Sequence, residues 1–137
     1  MLHWPDSMFT YIKEEALLIP NDAFGQHLAS SFRFDDQVEN KIIMEEAARY
    51  YANILYPLSR LVLKKLEEVN ALNIPISMIA PSHGVIWREN PGQIIESYRR
   101  WASGEWLPKA VVVSCQNPHQ CLCARHLLFS LYWAWHA

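Results

Sequence analysis

Three residues of types that bind transition metals lie in short, chemically distinctive segments of this sequence. They are His3 in LHWPDSMF, Asp22 in NDAFGQH and His83 in APSHGVIWR. Imidazole suits iron, manganese and zinc as a terminal ligand, and a carboxylate can bridge two cations. Because 19 and 61 residues separate them, only a fold that brings strand ends together can unite them. The alternatives are hydrogen-bonded or surface histidines and a turn-capping role for Asp22.

Short strands and loops are the first elements that must position these residues. Residues 8–12 (MFTYI) and 16–19 (ALLI) are β-branched and aromatic runs separated by polar KEE, which predicts a hairpin or two edge strands. A loop-rich stretch follows over residues 20–36. The run ISMIA, residues 76–80, predicts a buried strand that ends in the loop PSHG. His83 therefore belongs to a loop at a strand end, where ligands and catalytic groups are common.

A helical pattern connects the loop-rich stretch to this buried strand. Apolar residues recur at spacings of three, four and five over residues 36–70, which is typical of an amphipathic helix. Asp36 followed by Glu39 predicts a capping box at its start. Pro57 lies inside the pattern and removes an amide donor. We therefore expect two helices or one kinked helix in this region.

A further helix and strand complete the predicted order of elements. Asn90 is an N-cap and Pro91 a first-turn proline for a helix that runs to about Ser103 and stops at Gly104. KAVVVS, residues 109–114, has the composition of a buried parallel strand. The alternation of strands and helices favours an α/β layered domain.

The composition limits the class of protein and its partners. The 137 residues are 51% apolar and 19% charged, which is typical of a globular domain. A formal charge of -2 gives no basic field, so we expect no nucleic acid partner. The segment MLHWPDSMF lacks the features of a secretory signal, and the apolar LLFSLYWAWHA is too short to span a bilayer. These features predict a cytoplasmic protein without a membrane span.

Several segments together resemble one known family. LHWPDSMFTY, NDAFGQH, FDD, YYANIL and IAPSHGVIWR are similar to the second half of the diiron domain of flavodiiron proteins, or A-type flavoproteins, over roughly residues 2–113. The resemblance implies a metallo-β-lactamase-like αββα sandwich that holds a diiron site. A flavodoxin-like domain that carries FMN follows it in the family. The implied activity is electron transfer from FMN and reduction of dioxygen to water or of nitric oxide to nitrous oxide.

The resemblance also implies roles for individual residues. His3 would be a terminal ligand of one iron, Asp22 the carboxylate that bridges both, and His83 a terminal ligand of the other. Neighbouring residues are candidates for shaping the site: Trp4, Phe24 and His27. Residues 1–108 would be the C-terminal part of the diiron domain, and residues 109–137 an aberrant start of the flavodoxin-like domain with an apolar tail.

Two departures from the family limit what we expect of this chain. The sequence contains no H-x-E-x-D-H segment, which carries the remaining iron ligands in the family, and CQNPHQC replaces the phosphate loop, so FMN binding is not expected. We therefore expect a fragment of an incomplete sandwich, without reductase activity alone. The alternatives are a half-domain completed by a separate chain or a homodimer, and a metal-dependent hydrolase of the metallo-β-lactamase superfamily.

Overall fold

A small mixed sheet forms the centre of the computed structural model, which describes residues 8–104. Its strands are β1 (Thr10–Ile12), β2 (Leu17–Ile19) and β3 (Met78–Ile79), in the order β1-β2-β3. β1 pairs with β2 in antiparallel register, and β2 pairs with β3 in parallel register. The predicted hairpin is therefore confirmed, and the strand predicted over residues 76–80 is present as a shorter element.

The helical segment between β2 and β3 is the crossover that their parallel pairing requires. It contains α1 (Asn40–Tyr50), a π-helical turn (Tyr51–Leu55), a 3-10 turn (Tyr56–Leu58) and α2 (Ser59–Ala71). The expected interruption at Pro57 is confirmed, because this residue lies in the 3-10 turn that separates the two α-helices. The change in helical type begins six residues earlier, at Tyr51.

The predicted capping box of Asp36 and Glu39 is wrong. A 3-10 turn occupies Asp35–Gln37, and α1 begins only at Asn40. The Asp36 carboxylate accepts hydrogen bonds from the Arg88 guanidinium at 3.1 and 2.8 Å. The local pattern assigns the Asp36 side chain to the helix start. In the structure this side chain instead forms a bidentate ion pair with a residue 52 positions away.

Both ends of the last helix, α3 (Pro91–Ser103), are confirmed as predicted. The Asn90 side chain accepts a hydrogen bond from the Gln93 amide at 3.2 Å, and Pro91 occupies the first turn. Gly104 follows with φ of 77°, a left-handed conformation that glycine adopts without a Cβ clash. Local sequence chemistry therefore determines this helix.

Aromatic side chains join α3 to the loop after β2 and to the helical crossover. The ring centroid of Tyr98 lies 4.6 Å from that of Phe24 and 5.0 Å from that of Tyr51. The Tyr98 hydroxyl accepts a hydrogen bond from the Phe24 backbone amide at 2.8 Å. Burial raises the pKa of this hydroxyl well above its ordinary value, so it stays protonated. Tyr98 thus ties the loop after β2 to α3.

Some predicted features lie outside the described residues. They are the strand at 109–114, the loop CQNPHQC, the apolar tail and the proposed domain boundary at residue 108. Within residues 8–104, no helix is long and apolar enough to cross a membrane.

Replacement of the α3 N-cap provides a test of this fold. We expect Asn90→Ala to lower the free energy of unfolding by about 0.5–2 kcal/mol, because the Gln93 amide loses its side-chain acceptor. Asn90→Asp retains an acceptor and should unfold at nearly the same urea concentration as the original chain. An Asn90→Ala variant as stable as the original chain would show that the cap contributes nothing.

Candidate metal centre

Two of the predicted ligands come together at one edge of the sheet. Asp22 follows β2 and His83 follows β3, and parallel strands carry the loops at their carboxyl ends to the same edge. The His83 Nε2 lies 3.3 Å from the Asp22 Oδ1. The Asp22 side chain is 11% exposed, whereas the His83 side chain is 53% exposed. The Asp22 carboxylate is therefore sheltered from solvent, whereas the His83 imidazole is open to it.

The separation of these two donors is suitable for a shared cation. Ligand atoms about 2.0–2.2 Å from one metal, at tetrahedral or octahedral angles, lie about 2.8–3.6 Å apart. The observed 3.3 Å falls within this interval, and it equally fits a hydrogen bond from His83 to Asp22. Within residues 8–104, no cluster of three His, Cys, Asp or Glu side chains could hold a metal ion. The described chain therefore supplies two donors of the predicted set, and His3 and Trp4 lie outside it.

The buried amide of Gln26 connects the two loops that carry Asp22 and His83. Its Nε2 donates to the carbonyls of Phe24 at 3.1 Å and Val85 at 3.3 Å, and its Oε1 accepts from the Val85 amide at 2.8 Å. The Gln26 backbone amide also donates to the His83 carbonyl at 3.1 Å. Because only 1% of Gln26 is exposed, water cannot replace these partners, and loss of any of them is costly.

A second connection lies one residue before each of the two predicted ligands. The Ser82 amide donates to the Asn21 carbonyl at 2.8 Å, and the Ser82 hydroxyl donates to the Asn21 side-chain oxygen at 2.9 Å. Asn21 adopts φ of 57° and Phe24 adopts φ of 66°. Such left-handed conformations are unfavourable for residues with a Cβ, so the surrounding contacts must hold the loop in place. Asp22 thus sits in a tightly constrained turn.

Gly84 allows the two loops to approach each other closely. Its φ is 88°, and a Cβ at this position would lie 2.0 Å from the Gln26 Oε1 and 2.8 Å from the Gln26 backbone oxygen. Any larger residue would therefore push Gln26 out of its hydrogen bonds. Glycine at this position is required by both the backbone conformation and the available space.

Tyr50, the last residue of α1, reaches the site from the helical layer. Its ring centroid is 4.7 Å from that of His27 and 6.0 Å from that of His83. Burial, followed by the negative charge of Asp22, raises the pKa of the Tyr50 hydroxyl to about 12. His27 is exposed, and its ring centroid lies 6.1 Å from that of His83. Phe24 instead directs its ring into the core against Tyr98.

Sequence reasoning did not single out two residues that shape this site. Gln26 lies within the quoted segment NDAFGQH and Tyr50 within YYANIL, but neither residue type signals a metal site by itself. The sequence signal available for both residues was their position within segments that resemble a known family. The roles of both residues depend on contacts with distant parts of the chain.

Sequence comparisons identify relatives of this chain, although no family model matches it. A protein named nitric oxide reductase from Moorella thermoacetica is 66% identical over 112 residues, which are 82% of this chain and 28% of the relative. An anaerobic nitric oxide reductase flavorubredoxin from Vibrio vulnificus is 55% identical over 103 residues, or 75% of this chain and 21% of the relative. The chain therefore spans about a quarter of the length of these relatives.

Solved structures of similar proteins cover the same region. Rubredoxin oxygen:oxidoreductase from Desulfovibrio gigas matches 75% of this chain with a TM-score of 0.72 and 38% identity. The flavodiiron protein from Giardia intestinalis matches 75% with a TM-score of 0.70 and 43% identity. The chain belongs to the flavodiiron protein family. Its described fold corresponds to part of the metallo-β-lactamase-like domain, and it covers 26% and 25% of these two flavodiiron chains.

The close approach of the loops that carry Asp22 and His83 leads to a stability prediction. We expect Gly84→Ala to lower the free energy of unfolding by about 2–4 kcal/mol, because it combines an unfavourable φ with a clash against Gln26. Gly92→Ala, near the start of α3, is the matched control, since its Cβ would make only an ordinary 3.5 Å contact. Urea unfolding measures both, and equal stabilities would contradict the described loop packing.

The raised pKa of Tyr50 predicts a pH dependence of stability. Between about pH 10 and pH 12 the hydroxyl loses its proton in the unfolded chain but keeps it in the folded one. The contribution of Tyr50 to stability is therefore complete below about pH 10 and is lost as the pH rises through this interval. In metal-free protein, the free energy of unfolding should fall less steeply in Tyr50→Phe than in the original chain. Tyr56→Phe, at an exposed position, is the control and should retain the original slope.

Proposed function

We propose that this chain supplies part of the diiron site of a flavodiiron oxidoreductase that reduces nitric oxide to nitrous oxide. The observation that carries this proposal is the pairing of the Asp22 carboxylate and the His83 imidazole, 3.3 Å apart at the carboxyl edge of the sheet. The 66% identity to a protein named nitric oxide reductase favours nitric oxide as the substrate.

In this proposal each donor has a distinct task. Asp22, sheltered and held by the turn after β2, would be the carboxylate shared by the two metals, while His83 would be a terminal ligand on the more open side. His3 would be the terminal ligand of the other metal. Bound iron would supply the electrons that reduce the substrate. Tyr50 keeps its proton at neutral pH and can present its hydroxyl to the site as a hydrogen-bond donor.

The remaining parts of the reductase lie outside these 137 residues in this proposal. No H-x-E-x-D-H segment occurs in the sequence, so the other iron ligands come from a different stretch of polypeptide. The segment CQNPHQC does not offer the small residues and free amides that a phosphate loop needs. We therefore assign FMN, the expected electron donor, to a partner rather than to this chain.

Reduction of dioxygen to water is the second candidate function. The 38% identical structural relative is named rubredoxin oxygen:oxidoreductase, and the family uses the same iron ligands for either substrate. The higher identity to the protein named nitric oxide reductase favours nitric oxide.

Iron binding by a completed site tests the proposal. The chain would be mixed anaerobically with the part of the Moorella thermoacetica relative that lies outside its matched 112 residues, and iron would be counted per complex. We expect about two irons, with a large loss in Asp22→Asn and His83→Ala. Glu96→Gln, which changes a charge on a 68% exposed side chain, is the control and should retain iron.

The products of the same complex distinguish the two substrates. After chemical reduction and a single addition of nitric oxide, we expect nitrous oxide to form in proportion to bound iron. Iron content that is unaffected by Asp22→Asn and His83→Ala would refute the assigned ligands. Formation of water from dioxygen without nitrous oxide from nitric oxide would favour the second candidate.

A further inference from the structure

The loops that carry Asp22 and His83 are connected at two places, one on each side of His83. On the carboxyl side, the His83 carbonyl accepts a hydrogen bond from the backbone amide of Gln26 at 3.1 Å, and Gln26 is only 1% exposed. On the amino side, the Ser82 hydroxyl donates to the Asn21 side-chain oxygen at 2.9 Å, in an exposed position. Water can replace the partners of an exposed hydrogen bond but not those of a buried one. The exposed side-chain bond therefore contributes little to the stability of the loops.

The exposed bond nevertheless requires particular residue types at both of its ends. The backbone bond from the Ser82 amide to the Asn21 carbonyl, at 2.8 Å, can form with almost any side chains. The side-chain bond needs a hydroxyl at position 82 and a short acceptor at position 21. Asparagine supplies this acceptor, and it is among the few residues with a Cβ that adopt a left-handed backbone such as the observed φ of 57°. Asn21 therefore meets a backbone requirement and a side-chain requirement at once.

Asn21 and Ser82 lie where a side-chain contact can direct both predicted ligands. Each immediately precedes one of them in the sequence, Asp22 and His83. A bond between the two preceding residues limits the rotation of the peptide groups next to the carboxylate and the imidazole. The His83 side chain is 53% exposed, so packing restrains it only weakly. Because the donors of a metal site must be held to within about 0.5 Å, the 3.3 Å separation of the Asp22 Oδ1 and the His83 Nε2 needs such a restraint.

We propose that Asn21 and Ser82 are positioning residues for the candidate metal centre. Their side-chain hydrogen bond orients the Asp22 carboxylate and the His83 imidazole towards each other, at a separation that suits a shared cation. Neither Asn21 nor Ser82 is itself a ligand. The orientation of the two side chains is a property of the metal-free chain, whereas its effect on iron binding rests on the proposed function.

Three-bond NMR couplings in the full-length, metal-free chain test this orientation. We expect one dominant χ1 rotamer at Asp22 and at His83 in the original chain, and averaged couplings at both in Ser82→Ala. Ser82→Thr keeps a hydroxyl and should keep the single rotamers. Ser103→Ala removes another exposed 2.9 Å hydrogen bond, from the Ser103 hydroxyl to the Arg100 carbonyl, and is the matched control. Urea unfolding should give nearly the same midpoint for all variants, because each lost bond is exposed.

A second variant tests whether the two residues act through one bond. Asn21→Gly removes the acceptor while it still allows the left-handed backbone, and it should average the same couplings as Ser82→Ala. The double variant should show no more averaging than either single variant, because both remove the same interaction. Single rotamers that persist in Ser82→Ala and in Asn21→Gly would overturn the proposal, as would averaged couplings in the original chain or in Ser103→Ala.

Iron affinity measures the consequence for the metal centre. In the complex with the part of the Moorella thermoacetica relative outside the matched residues, competition with a chelator should show about tenfold weaker ferrous iron binding in Ser82→Ala, the lower end of the effect of groups that support metal ligands. Ser82→Thr and Ser103→Ala should retain the original affinity. An unchanged affinity in Ser82→Ala would refute the role at the metal centre. Averaged rotamers in Ser82→Ala, together with a complex that binds no iron, would instead refute the proposed function and leave the positioning contact intact.

Discussion

The buried side-chain amide of Gln26 is the interaction on which the candidate site depends. It bonds to backbone groups of its own loop and of the loop that follows β3, so the two loops cannot separate without leaving buried polar groups unpaired. The left-handed backbone of Gly84 makes room for this amide. Asp22 and His83 are carried on the same two loops, and their 3.3 Å separation is therefore a consequence of a connection made by other residues.

The helical layer contributes to the site at the point where the helix type changes. Tyr50 ends α1 and lies beside His27 and His83, whereas Tyr51 begins the π-helical turn and packs against Tyr98. Tyr50 therefore lies at the candidate site, and its neighbour Tyr51 packs in the core. Single π-helical turns inside α-helices are frequent at functional sites.

Phe24 is the junction between the polar loops and the apolar interior. Its carbonyl accepts from the side chains of Gln26 and Trp87, and its amide donates to the Tyr98 hydroxyl. Its ring meanwhile packs on the ring of Tyr98. One residue in a constrained left-handed conformation thus belongs to both the hydrogen-bond network and the core.

The sequence by itself determined the features that depend on neighbouring residues. Asn90, Pro91 and Gly104 set the ends of α3, Pro57 interrupts the helical crossover, and the segments around Asp22 and His83 indicate the family. These signals are local because caps and proline act within one helical turn. Tertiary structure decided the rest. Arg88 draws Asp36 away from the predicted capping box, and Gln26 reaches a partner 59 residues away. Such contacts depend on the pairing of strands that are distant in the sequence, so residue spacing alone could not predict them.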